Sequence, residues 1–212
     1  MPADQVRPSR KLTAILAGAV VLGIGAVSTL ATWNDSEWVN GLFSTSSFEV
    51  EQNTAADIGD AAWVKEESNP GGALRFTADA AALTPGDAAY APLALRTAAG
   101  SDAATVTLQG AVPAAGTTPG TELWAALDVR VTTSDAPFTC DADGITAGTE
   151  IASGKLASVA ASTAPQSLAA DSGSVQYYCF EIALPAELAG SEDVQGQTAQ
   201  PAWEFQAVSL EA

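Results

Sequence analysis

The chain of 212 residues has no histidine, one methionine and two cysteines, and its 8 lysines and arginines face 25 aspartates and glutamates, a net charge of −17. Each shortage closes off a class of function. Without histidine there is no Ser-His-Asp or Cys-His machinery and no His-ligated zinc. The shortage of basic residues leaves an acidic surface that repels phosphate backbones, so no nucleic-acid partner is expected. Aromatics are sparse at 7%, and alanine supplies much of the 47% hydrophobic fraction. That fraction is still too high for a wholly disordered chain. The length suits one domain with appendages, or two small ones. What remains is a surface or interaction protein.

The few basic residues are unevenly placed. Arg7, Arg10 and Lys11 stand against Asp4 in residues 1–31, a net of +2 that leaves −19 on the remaining 181 residues. They precede an uncharged run from Leu12 to Ala31. Basic residues ahead of an apolar core are held on the cytoplasmic side while the core enters the bilayer. Residues 1–31 therefore read as a cleavable signal-peptide helix, with Thr29 and Ala31 as the small residues before a cut between Ala31 and Thr32. A permanent anchor is the alternative, since the run is long enough to span a membrane. Signal peptidase is the expected partner of the leader, and a membrane is met only through the uncleaved form. The mature chain is expected to be secreted or held at the cell surface.

After residue 31 the dominant pattern is period-2 alternation. Leu123 to Val131 carries apolar residues at odd positions, with Asp128 and Arg130 facing the other way, as in a strand with one wet face. Leu74/Phe76, Val106/Leu108 and Trp203/Phe205 repeat the pattern briefly. Val175 to Leu184 is apolar on both faces and reads as a central strand. Asn69-Pro70-Gly71-Gly72, Pro85-Gly86-Asp87, Pro119-Gly120 and Asp143-Gly144 are turn signals. Eight to ten strands punctuated this way predict an all-β fold, a jelly-roll-like antiparallel β-sandwich over residues 53–212. Residues 157–170 fit a short helix or a loop equally well.

Export places Cys140 and Cys179 in an oxidising compartment, and an even count there points to one disulfide, with two free buried thiols as the alternative. Asp141-Ala142-Asp143-Gly144 is like the opening of a calcium loop, which makes Asp141 and Asp143 candidate ligands. Gly144 comes too early for that loop and Glu150 falls at position 10 rather than 12, so an Asp-Gly hairpin turn is the simpler reading and no metal is expected. No pair of carboxylates is singled out for glycosidase work. Trp33, Trp38 and Trp63 read as core or interface plugs ahead of a sugar-binding strip. No cofactor is implied.

Residues 29–51 also carry a resemblance. Thr29-Leu30-Ala31-Thr32-Trp33-Asn34-Asp35-Ser36-Glu37, then Asn40-Gly41-Leu42-Phe43, then Phe48-Glu49-Val50-Glu51, resembles the signal and early mature region of SipW-dependent exported proteins, the TasA and camelysin-like family. Leu83-Thr84-Pro85-Gly86-Asp87 and Trp203-Glu204-Phe205-Gln206-Ala207 are similar to a turn and a late core strand of that family, whereas residues 98–172 match no part of it. The resemblance implies a biofilm-matrix protein that assembles into fibres. Camelysin-like members are classed as metallopeptidases, but this chain has no His-Glu-x-x-His and no histidine at all, so an enzyme is not expected. The segment 32–52 holds Trp33, Asn34, Asp35, Trp38, Phe43, Phe48 and Val50 directly after the cut. It is either the first strand of its own sandwich or a donor strand that completes the sheet of a neighbour, and both can hold if it swaps. The competing expectations are a monomeric secreted binding or adhesion module and, third, a hydrolase.

Overall fold

The computed structural model describes residues 47–55, 62–76, 80–162 and 164–210. The leader, the cut at Ala31 and Thr32, and Trp33, Asn34, Asp35, Trp38 and Phe43 all lie outside the described residues. The fold is an all-β antiparallel sandwich. Its larger sheet holds β1 (Val50–Asn53), β2 (Ala88–Thr97), β5 (Asp128–Ser134), β6 (Thr149–Lys155) and β8 (Gln176–Ala183), in the order β1-β2-β8-β5-β6. The smaller sheet holds β3 (Ala104–Leu108), β7 (Gln166–Leu168) and β10 (Phe205–Ser209), in the order β10-β3-β7. Beyond a break, β4 (Val112–Pro113) and β9 (Pro201–Ala202) pair as a two-stranded ribbon. The chain passes repeatedly between these sheets, a jelly-roll-like habit.

β8 is the central strand that its two-sided apolar sequence foretells. Its inward side chains Tyr178, Phe180 and Ile182 are buried against Leu93 and Leu95 of β2 and Val129 and Val131 of β5. Val106, Leu108 and Leu168 close the core from the smaller sheet. Phe180 stacks on Trp203 at 5.0 Å, and Tyr178 meets Phe205 edge-on at 4.8 Å. Burial pushes the Tyr178 phenol well above the ordinary tyrosine range.

Three sequence expectations are corrected by the fold. The alternation begun at Leu123 is cut short: Thr121–Ala126 forms a helix, α1, and the strand starts at Asp128. The helix is entered from Pro119-Gly120, the Gly120 carbonyl accepts from the Trp124 N–H at 2.9 Å, and Ala125 and Ala126 favour it. Leu74 and Phe76 form no strand, yet both pack on the core from a loop. Asp143-Gly144 leads into the 3-10 helix Gly144–Ala147 and not into a two-residue hairpin. The described residues of 157–170, left open by the sequence, are loop and turn apart from β7.

The Leu83–Asp87 segment is a turn. The Asp87 carboxylate accepts from the Thr84 hydroxyl at 2.7 Å and from its N–H at 2.8 Å, and Gly86 adopts φ +99°. Those two hydrogen bonds hold the Asp87 carboxyl below the usual carboxylate range.

Candidate functional site

The two faces of the large sheet differ in chemistry. Its outer face carries cross-strand charge pairs set by register. Glu181 of β8 accepts from Arg130 Nε of β5 at 2.7 Å and from the Tyr90 hydroxyl of β2 at 3.2 Å. Burial and the adjacent Glu181 push the Tyr90 phenol up. Arg96 of β2 pairs with Glu51 of β1 at 3.0 Å, and its guanidinium lies 4.2 Å over the Trp63 ring. Trp63 is thus a cation–π partner of Arg96. Lys155 of β6 pairs with Asp128 of β5 at 2.8 Å, and Lys65 pairs with Glu49. A shallow depression of about 400 Å³ over Asp128, Arg130, Ser153 and Glu181 is lined by groups that already have partners.

The same outer face is covered near its middle by the β5–β6 connection. Cys179 points outward from β8, is fully buried, and forms a disulfide with Cys140. Ile145, also fully buried, sits in the same connection. The expected pairing of the two cysteines is therefore present, and it is the chemistry of an oxidising compartment. Asp141 Oδ1 accepts from the Gly144 N–H at 2.7 Å and from the Asp143 N–H at 3.1 Å. Asp141 thus shapes the turn that precedes Ile145, and no cluster of three metal-ligating side chains occurs among the described residues.

A deeper concavity opens between the sheets. A groove of about 870 Å³ has Leu93, Leu95, Phe180, Trp203 and Phe205 along its lining, with Glu49, Glu51, Glu66, Glu67 and Glu204 also bordering it. β1 forms part of one wall and β10 part of the other. Phe48 and Val50, both named from the sequence as assembly residues, line it as well. Val50 belongs to β1, which pairs antiparallel with β2 of its own sheet. Phe48, 39% exposed, stands just before it.

The expected Trp203/Phe205 strand is half met: Phe205 opens β10, whereas Trp203 lies in the break between β9 and β10, and alternation marked neither as a groove wall. Alternation tells which residues face inward, and not whether the opposite sheet is wide enough to cover them. No protein-family model and no curated protein sequence matches the chain. Among the described residues no helix is long and apolar enough to cross a membrane.

Proposed function

We propose that the protein is a secreted cell-surface or matrix structural protein that assembles into fibres through its mature N-terminus. The observation that carries this reading is the apolar groove, which lies beside the strand that the mature N-terminus leads into. An extended segment with aromatic and aliphatic side chains, such as Trp33 to Phe43, suits a groove whose partly exposed lining includes Leu74, Phe76, Trp203 and Phe205. Addition of one copy's segment to the next copy's groove is head-to-tail, does not close on itself, and so grows a filament. The resemblance of residues 29–51 to SipW-dependent exported proteins supports export and cleavage before this segment. The histidine-free composition supports a structural role over a catalytic one.

β1 belongs to its own sheet, so the donor is the stretch ahead of it, residues 32–46. The test compares the chain from Thr32 with one from Ser47 by negative-stain electron microscopy. Fibres from the first and none from the second are expected; equal polymerisation by both would refute the mechanism. A second reading, a monomeric binding module, draws on the groove volume, which lies within the range of small-ligand sites. It requires a monomer at every concentration and a ligand-dependent rise in melting temperature.

A further inference from the structure

Four strands lie at sheet edges in the two main sheets, and three of them are guarded. β1 is capped on its outer side by Val64, which exchanges main-chain hydrogen bonds of 2.8 and 3.0 Å with Gln52. β6 carries Glu150 and Lys155, has Gly154 at φ +142°, and slips register against β5 between Val131 and Thr132. β7 is three residues long. Charges, irregular geometry and short length are the usual means by which an edge avoids pairing with another chain.

β10 has none of these protections. Phe205–Ser209 contains no charged residue and no proline, and its ladder to β3 runs without a bulge. In that ladder Gln206 and Val208 are directed toward β3, as the flanking bonds from Gln109 to Glu204 and from Leu210 to Ala103 require. The main-chain groups of Phe205, Ala207 and Ser209 point the other way and have no partner among the described residues. Val208 is 58% exposed and Leu210 43%.

The charge distribution says what can lie there. Every strand of the large sheet carries an ionisable acid or base: Glu51, Arg96, Arg130, Glu150 and Glu181 are one from each. β3, β4, β7, β9 and β10 carry none. In a chain of net charge −17, pairing along β10 therefore puts no ionisable side chain of the strand itself into the seam, with Glu204 just outside it.

We infer that β10 is a pairing edge for β10 of a second copy, joined antiparallel about a two-fold axis. The outward-directed groups fix the register. Ala207 faces the second copy's Ala207, and Phe205 faces its Ser209, so each bare N–H and C=O finds a partner. On the solvent face Val208 then packs beside the second copy's Gln206. Glu204, the nearest carboxylate along the strand, falls opposite Leu210, which keeps the two Glu204 side chains at opposite ends of the seam. The contact is isologous and closes as a dimer, unlike head-to-tail addition of residues 32–46, and does not depend on it.

Sedimentation velocity of the secreted chain across a concentration series tests the inference, alongside Val208→Glu, Ser209→Pro and the chain starting at Ser47. Residues 45–212 form a compact unit of their own, which permits the last comparison. A reversible dimer is expected, weakened roughly tenfold or more in Kd by each substitution, with the melting temperature unchanged at concentrations where the chain is monomeric. Ser209 is exposed and its N–H points to the bare edge, so proline there removes a donor without breaking the β3 ladder. The chain from Ser47 is expected to keep the dimer. A monomer at all concentrations, a dimer indifferent to both substitutions, or a dimer lost only on removing residues 32–46 would each overturn the proposal. The last result would leave the fibre reading standing; a retained dimer without fibres from the Thr32 chain would do the reverse.

Discussion

Breaking the Cys140–Cys179 bridge should destabilise the sandwich without rearranging its central ladder. The cysteines are 39 residues apart in sequence, and the closed loop includes the connection over the outer face, β6 and β7. On the chain-entropy account, freeing a loop of that length in the unfolded state costs about 4 kcal/mol of stability. At 1 kcal/mol per 2–4 °C for a domain of this size, the melting temperature should fall by roughly 8–16 °C. Cys140→Ala is the better perturbation, because Cys179 is fully buried on β8 and its replacement would disturb packing as well. The native state should also loosen locally, since Ile145 and Cys140 hold the same connection against β5 and β8. Thermal melts followed by far-UV circular dichroism give the global term. Amide exchange at Ile145 and Gly148, compared with Phe180, gives the local one. A melting temperature lowered by less than about 3 °C would refute the argument that this bridge restrains the unfolded chain.

Four further outcomes are expected. Phe180→Ala removes a fully buried ring that contacts Trp203 and Phe205, and should cost about 3–5 kcal/mol in urea unfolding; a loss under about 1 kcal/mol would mean that the groove collapses onto the vacancy. Gly144→Ala places a methyl carbon 2.0 Å from the Thr139 carbonyl oxygen, so the connection must shift, and Ile145 amide exchange should accelerate while β8 stays protected. Thr84→Ala removes the main hydrogen bond that lowers the Asp87 carboxyl, so NMR titration should show that pKa rising toward its ordinary value. Because the folded-state value is depressed, the turn's contribution is present above the ordinary carboxylate pKa and disappears as pH falls through the folded one. Finally, copies of such charge repel, so self-association should strengthen with added salt or divalent cations, or at lower pH; light scattering indifferent to all three would count against charge-limited assembly.

The parts of the fold legible in sequence were those whose burial is two-sided or strictly alternating. β8 announces itself because both of its faces are covered, by the core on one side and, at Cys179, by the bridged connection on the other. β3 and β5 show simple alternation over Val106/Leu108 and Val129/Val131. Leu123–Ala126 was misleading because Leu123 packs on the core from a short helix as it would from a strand, and only the hydrogen bonds that the Gly120 and Leu123 carbonyls accept from the Trp124 and Leu127 N–H groups separate the two. Leu74 and Phe76 show the converse: side chains two apart can reach the core from a loop with no ladder. The groove was not legible at all, since it depends on how far β10 overlaps β2 and β8, a property of two sheets and not of any one strand.

The charge is where sequence and structure say most together. Read as an average, −17 describes a chain that repels its own copies in every direction. The fold makes that repulsion directional. Lys65, Arg96, Arg130 and Lys155 are each committed to an acid within the chain, so they neutralise Glu49, Glu51, Glu181 and Asp128 rather than reach a partner. Such partly exposed pairs add little to stability. Their larger effect is to organise the outer face of the large sheet as a settled, water-facing surface. The strands of the smaller sheet carry no ionisable side chain, and among the described residues the outer main-chain edge of β10 has no partner. An acidic protein that avoided all association would have charged that edge, as it charged β6. Leaving β10 itself neutral, with Glu204 displaced to the end of the strand, keeps like charges out of the one ladder where a second chain could add, so that repulsion between copies weakens pairing there without forbidding it.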